Sequence, residues 1–327
     1  MWCALPGNDA FWSVSWARDE DRDHRRRTTT STRPLLACPL SVPDRSIAHS
    51  IEITLGERLR SARPLGGGCI GEVYRVELED GTPLVAKVDG SGESHLEREA
   101  YMLRYLREKS DLPVPEVYHG SETLLLMEFV EGSSRFSDGP ERHAAELLAA
   151  LHGITADAYG HERNTLIGSL DQPNPWTGSW TGFFRDQRLL YVAQVAYDAG
   201  RLPAREVRRL ERLAGRLDEI IGEPNPPALI HGDVWSANVL ARGDRISAFL
   251  DPALYYADPE IELSFISLFD SFGAAFFERY EEIRAVDERF RKGRRDLYSL
   301  YPLMVHVYYF GGGYLQSVRN TLERFGV

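Results

Sequence analysis

Between Ile51 and Phe129 apolar residues come at alternate positions or in short runs punctuated by Gly and Asp-Gly, whereas beyond Gly132 they recur at helical spacing. This contrast predicts a small β-rich unit followed by a larger helical one. In the first unit a short helical stretch around Leu55 to Leu59 leads into strand-like Gly71 to Leu78, where Val73, Val76 and Leu78 alternate imperfectly. Asp80-Gly81 reads as a hairpin turn and Pro83 to Val88 as the returning strand. From Ser94 to Glu108, Leu96, Glu99, Ala100 and Leu103 share one stripe of a helix. Thr123 to Phe129, bounded by Gly120 and Gly132, reads as another strand. Helices are then expected at 140–153, 180–199 and 203–221, followed by a loop through Leu-Ile-His-Gly-Asp and a helical C-terminus.

The resulting fold class is α+β and bilobal, with no internal repeat. Residues 1–50 mix Trp, Asp, Arg, Thr and Pro without either period, so they are expected to be a poorly structured N-terminal extension, genuine or read from a start codon placed too early. The expected units are therefore 1–50, 51–131 and 132–327.

Charge and cysteine usage narrow the function classes. Carboxylates outnumber Lys plus Arg by 49 to 38, and the net charge of −11 argues against broad binding to nucleic acid or an anionic membrane. Three cysteines, Cys3, Cys38 and Cys69, stand at no metal-ligand spacing, so a zinc site and a disulfide framework are not supported and a reducing cytoplasm is expected. No apolar run approaches the roughly 20 residues needed to span a bilayer. Arg25-Arg26-Arg27 lacks a following apolar h-region, so no export signal is read there. The only lysines are Lys87, Lys109 and Lys292, which makes one inside an apolar strand conspicuous.

Gly66-Gly-Gly68-Cys69-Ile-Gly71-Glu-Val73 satisfies G-x-G-x-x-G-x-V, a pattern in which glycines let backbone approach phosphates and the valine covers a base. A strand and hairpin follow it, not the helix that a dinucleotide fold requires. Alone, it reads better as a flexible turn. Lys87 follows sixteen residues after Gly71, inside an apolar strand where an unpaired ammonium is costly. Glu99 shares the buried stripe of the next helix and can pair with it, whereas Glu97 points away. The plainer alternative is two solvated charges. His231-Gly-Asp233-Val-Trp-Ser-Ala-Asn238 has the aspartate-to-asparagine spacing of a phosphotransferase catalytic loop, in which the aspartate accepts a hydroxyl proton and the asparagine holds magnesium. Asp251, thirteen residues on, ends the apolar Ile246 to Leu250 segment and would supply a second hard-oxygen ligand. Either aspartate alone could be a turn or cap. All four elements in one order point to phosphoryl transfer. Gly232 replaces the arginine of H-R-D, Asp251-Pro252 replaces D-F-G, and the segment before the next helical pattern near Ile261 is too short for a peptide-docking loop.

With Leu-Asp-Pro-Ala-Leu-Tyr-Tyr-Ala-Asp-Pro-Glu-Ile-Glu-Leu at 250–263 and Tyr-Phe-Gly-Gly-Gly-Tyr at 309–314, the chain from about residue 52 onward resembles the fructosamine kinase (ketosamine-3-kinase) family. Ile167-Gly-Ser, Gln172-Pro-Asn174 and the Trp180 to Leu189 stretch are also similar to that family. The resemblance implies a protein-kinase-like fold, with 51–131 binding nucleotide and 132–327 carrying catalysis and substrate. It implies ATP- and Mg2+-dependent phosphorylation of the 3-hydroxyl of a ketoamine, small or protein-bound, which reverses glycation. Asp233 would be the base, Asn238 and Asp251 the magnesium ligands, and Lys87 the phosphate contact. Met127, Glu128 and Val130 would form the hinge facing adenine, Glu262 would brace the catalytic loop, and Trp235 would receive the sugar. In this family a cysteine at the position of Cys69 is associated with a redox-sensitive homodimer; the alternative is an inert small residue. Ala237, Val305 and Tyr308 depart from the family pattern.

Two other functions compete: an aminoglycoside or other small-metabolite phosphotransferase, and a catalytically silent nucleotide-binding regulator. The second is disfavoured by the presence of Lys87, Asp233, Asn238 and Asp251 together. Tyr298, Tyr301, Tyr308, Tyr309 and Tyr314 are expected in the helical core and cleft wall. Arg291-Lys-Gly-Arg-Arg is expected on a solvated surface.

Overall fold

Alternation along two neighbouring strands sets up the smaller lobe. In the computed structural model, which describes residues 42–65, 72–90 and 95–327, Leu84 and Ala86 face one side of a sheet while Val85 and Lys87 face the other. The sheet has five antiparallel strands in the order β1-β2-β3-β5-β4: β1 (Leu59–Pro64), β2 (Glu72–Leu78), β3 (Pro83–Val88), β4 (Val117–Gly120) and β5 (Leu124–Glu128). One face is covered by α1 (Val42–Leu55), through Ile47 and Ile51 packed on Tyr74, Val76, Leu84 and Leu126. The other face meets α2 (His95–Lys109), through Leu96, Ala100 and Leu103 packed with Val85, Leu125 and Met127. The imperfect phase of β2 resolves here: Tyr74, Val76 and Leu78 alternate into the α1 side, while Val73 is on the opposite face, paired in register with Lys87.

Two expectations need correcting. The boundary at residue 50 falls inside α1, whose Ile47 and Ile51 are fully buried. A stripe this short, set among polar residues, leaves too few turns for a period to stand out. The helical stretch expected around Leu55 to Leu59 is instead the end of α1 and the start of β1, an edge strand whose half-exposed Leu-Arg-Ser-Ala-Arg-Pro carries no apolar alternation.

The larger lobe is mainly helical: α3 (Asp138–Leu151), α4 (Trp180–Phe183), α5 (Leu190–Asp198), α6 (Ala204–Ala214), α7 (Leu217–Ile221), α8 (Glu260–Leu268), α9 (Ala274–Ile283), α10 (Arg295–Phe310) and α11 (Gly313–Arg324). The helix expected at 180–199 is continuous but widens into a π turn over Phe184–Leu189. The one expected at 203–221 breaks at Gly215-Arg216. Three two-stranded ribbons sit among these helices: β6 (Thr165–Ile167) with β7 (Leu170–Gln172), β8 (Ala228–Ile230) with β11 (Tyr255–Ala257), and β9 (Val239–Arg242) with β10 (Arg245–Phe249). One apolar cluster, running from Tyr159 through Trp180, Phe184 and Tyr298 to Leu322, fills the helical lobe. A second joins the lobes, with Val85 and Leu125 of the sheet in the same cluster as Leu148, Leu229 and Phe249. Tyr298 and Tyr301 are core, and Tyr308, Tyr309 and Tyr314 pack on its margin. The basic run is only partly solvated. Arg294 is fully buried, donating to the carbonyls of Ile221 and Glu223 and pairing with Glu260 at 3.1 Å. No helix among the described residues is long and apolar enough to cross a membrane.

Candidate active site

The ribbons place two loops side by side. Residues 231–238 link β8 to β9, and residues 250–254 link β10 to β11. Because β8 pairs with β11 and β9 with β10, both ends of each loop are tied to the other. Two further backbone bonds close the gap, Ala253 N–H to the His231 carbonyl at 2.8 Å and Leu250 N–H to the Asn238 carbonyl at 2.8 Å. The approach is so tight that a Cβ on Gly232, which has φ +86°, would lie 2.1 Å from the Ala253 carbonyl oxygen. No other residue fits without displacing backbone. This is why glycine stands where H-R-D has arginine.

A buried carboxylate holds the first loop. Glu262 on α8 accepts from Gly232 N–H at 2.6 Å through Oε1, and through Oε2 from His231 N–H at 3.4 Å, with the same oxygen 2.8 Å from His152 Nε2. His152 Nδ1 in turn lies 2.7 Å from the Tyr280 hydroxyl. Burial would raise Glu262, but the His152 and Gly232 hydrogen bonds outweigh it and hold the carboxyl below the usual range. Burial lowers His231 to about 4, so its ring is neutral near pH 7 and Nδ1 accepts from Asp233 N–H at 3.3 Å.

Asp233 and Asn238 meet within the loop. Asn238, in a single 3-10 turn, donates Nδ2 to Asp233 Oδ2 at 2.8 Å and to the Asp233 carbonyl at 3.1 Å. Asp233 Oδ1 is buried and has no hydrogen-bond partner among the described residues. Burial pushes the Asp233 carboxyl well above its ordinary range, and the nearby Asp251 charge adds to this. Trp235, two residues on, is half-buried against the helical-lobe core.

Lys87 connects the lobes. Its Nζ donates to Glu99 Oε1 at 2.7 Å and to Asp251 Oδ1. Burial works against the Lys87 charge, but the two carboxylates more than offset it and raise its pKa. Both carboxylates draw on the same ammonium. Burial pushes Glu99 up to about 7, despite Lys87, whereas the Lys87 charge overcomes burial at Asp251 and holds it below the usual range. The Asp251 side chain is 34% exposed, against 11% for Lys87 and 15% for Glu99, so the trio opens at Asp251. Asp251 also has φ +52°, an uncommon backbone state for a residue with a Cβ.

The structure thus brings together Lys87, Glu99 and Asp251, and separately Asp233 and Asn238. Val73 lies across from Lys87, and Met127 and Glu128 end β5, with Val130 half-buried just beyond. Gly66, Gly68, Cys69 and Gly71 lie outside the described residues. His152 and Gln172 were not singled out as individual functional residues by the sequence. Gln172 donates to the Ala253 carbonyl at 3.0 Å and accepts from the Tyr301 hydroxyl at 2.6 Å, so it supports the segment just past Asp251. Its place in Gln172-Pro-Asn174 was the available signal. A surface groove of about 440 Å³, lined by Trp176, Arg185, Asp186 and Asp218 among others, includes none of residues 231–238.

A family model described as fructosamine kinase matches residues 43–325. The chain belongs to the fructosamine kinase family. Its relatives include a Synechocystis protein that carries the name ketoamine kinase, 33% identical over 293 residues, covering 86% of this chain and 96% of the relative. A chloroplastic protein-ribulosamine 3-kinase of Arabidopsis thaliana is 28% identical, covering 93% and 94%. A crystal structure from Thermobifida fusca that carries the name fructosamine-3-kinase superposes with a TM-score of 0.77 at 31% identity, covering 85% of this chain and 97% of that one. An aminoglycoside phosphotransferase bound to ADP and hygromycin B, at 18% identity and a TM-score of 0.60, shares the fold. The fold is therefore protein-kinase-like, and this fructosamine kinase family member is a phosphotransferase.

Proposed function

We propose that the protein uses ATP and magnesium to phosphorylate the 3-hydroxyl of a ketoamine, a sugar adduct on a free amine or a protein amine, and so takes part in deglycation. The observation that carries this reading is Asp233: one carboxylate oxygen is fixed by Asn238, and the other is buried with no hydrogen-bond partner among the described residues. That second oxygen keeps its acceptor capacity uncommitted, as a base for a hydroxyl proton requires. In the proposed step Asp233 Oδ1 takes the proton of the sugar hydroxyl. The hydroxyl oxygen forms a bond to the γ-phosphorus as that phosphorus parts from the bridging oxygen of ADP, which leaves.

Lys87 would contact the phosphates, with Val73 and the Met127–Val130 segment toward the base. The donor set suits magnesium. Asn238 commits its amide NH2 to Asp233, leaving its carbonyl oxygen for a cation, and Asp251 opens to the cleft as an ionised carboxylate. Such an ion would be held by these one or two protein oxygens together with the phosphates. When bound, the ion supplies charge neutralisation to the phosphates.

The acceptor assignment rests on the names of the relatives and on three carboxylates. A multi-ring polycation needs several acidic groups after Asp251, yet Asp258, Glu260 and Glu262 are all buried in internal networks. Asp258 accepts from Asn225 at 2.9 Å and Tyr298 at 3.0 Å, Glu260 pairs with Arg294, and Glu262 holds the catalytic loop. Trp235 would receive the sugar. We infer a cytoplasmic setting from the odd number of cysteines, which stand at no metal-ligand spacing in the sequence. ATP turnover against ketoamines, aminoglycosides and free sugars tests the assignment. Turnover of a 1-deoxy-1-amino-ketose is expected, and turnover of kanamycin alone would overturn it.

A further inference from the structure

The helix that carries Glu99 has two working faces. Leu96, Ala100 and Leu103 pack on the sheet. Arg98, Tyr101 and Tyr105, spaced three and four apart, form a second stripe, and each meets the larger lobe. Arg98 pairs with Asp171 on β7. The Tyr101 hydroxyl donates to Glu162 Oε1 at 2.7 Å and lies 2.8 Å from His161 Nε2. Since that hydroxyl hydrogen is committed to Glu162, His161 must donate from Nε2. Burial lowers His161 to about 4, in keeping with a neutral ring. Tyr105 meets the His161 ring edge-on at 4.7 Å and shares a 3.1 Å hydrogen bond with the Tyr256 hydroxyl on β11.

We propose that Tyr101 and Tyr105 are positioning residues, which clamp α2 to the larger lobe and thereby keep Glu99 on Lys87. This rests on the kinase reading above. The reason a clamp is needed lies in the Lys87 trio. Two carboxylates share one ammonium, Glu99 from α2 and Asp251 from the larger lobe, so through this trio α2 reaches the larger lobe only by way of the Lys87 side chain. That contact alone is a poor anchor for a whole helix. The Arg98–Asp171 pair is too exposed, at 34% and 58%, to add much. The tyrosines are better placed. Tyr256 lies on the strand that directly follows the Asp251 segment, so the Tyr105–Tyr256 contact ties the helix bearing one Lys87 partner to the segment bearing the other.

The test is a cycle of Tyr101→Phe, Glu99→Gln and the double variant in the full chain. The MgATP Kd is read by calorimetry without acceptor, and kcat and KM with a ketoamine. Tyr101→Phe keeps the ring and removes both hydroxyl contacts. It is expected to raise the MgATP Kd and lower kcat/KM for ATP about tenfold, with the acceptor KM unchanged, and to add less than about twofold in the Glu99→Gln background. Tyr105→Phe, which removes a single hydroxyl contact, is expected to act in the same direction should Tyr101→Phe not fold. Fully multiplicative effects in the double variant, or an unchanged MgATP Kd in folded single tyrosine variants, would overturn the clamp while leaving the kinase reading intact. Failure of the wild type to bind MgATP would overturn both. MgATP binding without ketoamine turnover would overturn only the acceptor assignment, and the clamp would then be decided by the Kd values.

Discussion

Glu262 accepts a hydrogen bond from the backbone N–H of Gly232 at 2.6 Å across thirty residues of chain, with its other carboxylate oxygen 2.8 Å from His152. The 231–238 loop is therefore fixed by a fully enclosed carboxylate. Glu262→Gln removes the charge from these bonds and is expected to cost about 2 kcal/mol at neutral pH. The Glu262 pKa is depressed on folding, so its stabilisation is present above the unfolded carboxyl pKa and lost as pH falls through the lower folded value. Denaturant melts should show the gap between wild type and variant narrowing in acid. A gap that widens in acid would contradict this account.

Gly232→Ala meets two obstacles at once, a positive φ and a Cβ placed 2.1 Å from a carbonyl oxygen. A loss of at least about 2 kcal/mol is expected, together with a large fall in kcat, since Asp233 is the next residue. Chemical denaturation and steady-state kinetics on the same preparation check both.

Asp233→Asn separates chemistry from stability. Turnover should fall by about 10² to 10⁴, while MgATP affinity stays near that of the wild type. The apo variant should melt no lower than the wild type at pH 7. It replaces a carboxylate whose burial opposes ionisation, and its side-chain oxygen can still accept from Asn238. A variant with wild-type turnover would remove Asp233 from the role of base.

Ile51 is fully buried between α1 and the sheet. Ile51→Ala is expected to cost about 3 kcal/mol by urea melt. A cost below about 0.5 kcal/mol would mean that α1 adds little to the smaller lobe.

Much of the site was legible because its residues break a local pattern. Lys87 is a lone charge in an apolar strand, Glu99 a carboxylate on a buried stripe, and Asp233 and Asn238 carry their spacing within one loop. The supports were not legible, because their partners are remote. His152 lies 110 residues from Glu262, and the need for glycine at 232 exists only once Ala253 is brought beside it. The ribbons that align the two loops include β8 and β11, each three residues long, too short for alternation to register. Tyr101 and Tyr105 fall off the apolar stripe and look like an ordinary polar face until the larger lobe is seen against them.

Asp233, as the proposed base, directs phosphate to one hydroxyl of a ketoamine. Wild type and Asp233→Asn should be incubated with magnesium, ATP and a defined fructose–lysine adduct, and the product located by phosphorus–proton NMR. The account predicts phosphate on the sugar 3-hydroxyl with the wild type and almost none with the variant. Phosphate at another hydroxyl, or equal product from both proteins, would contradict it.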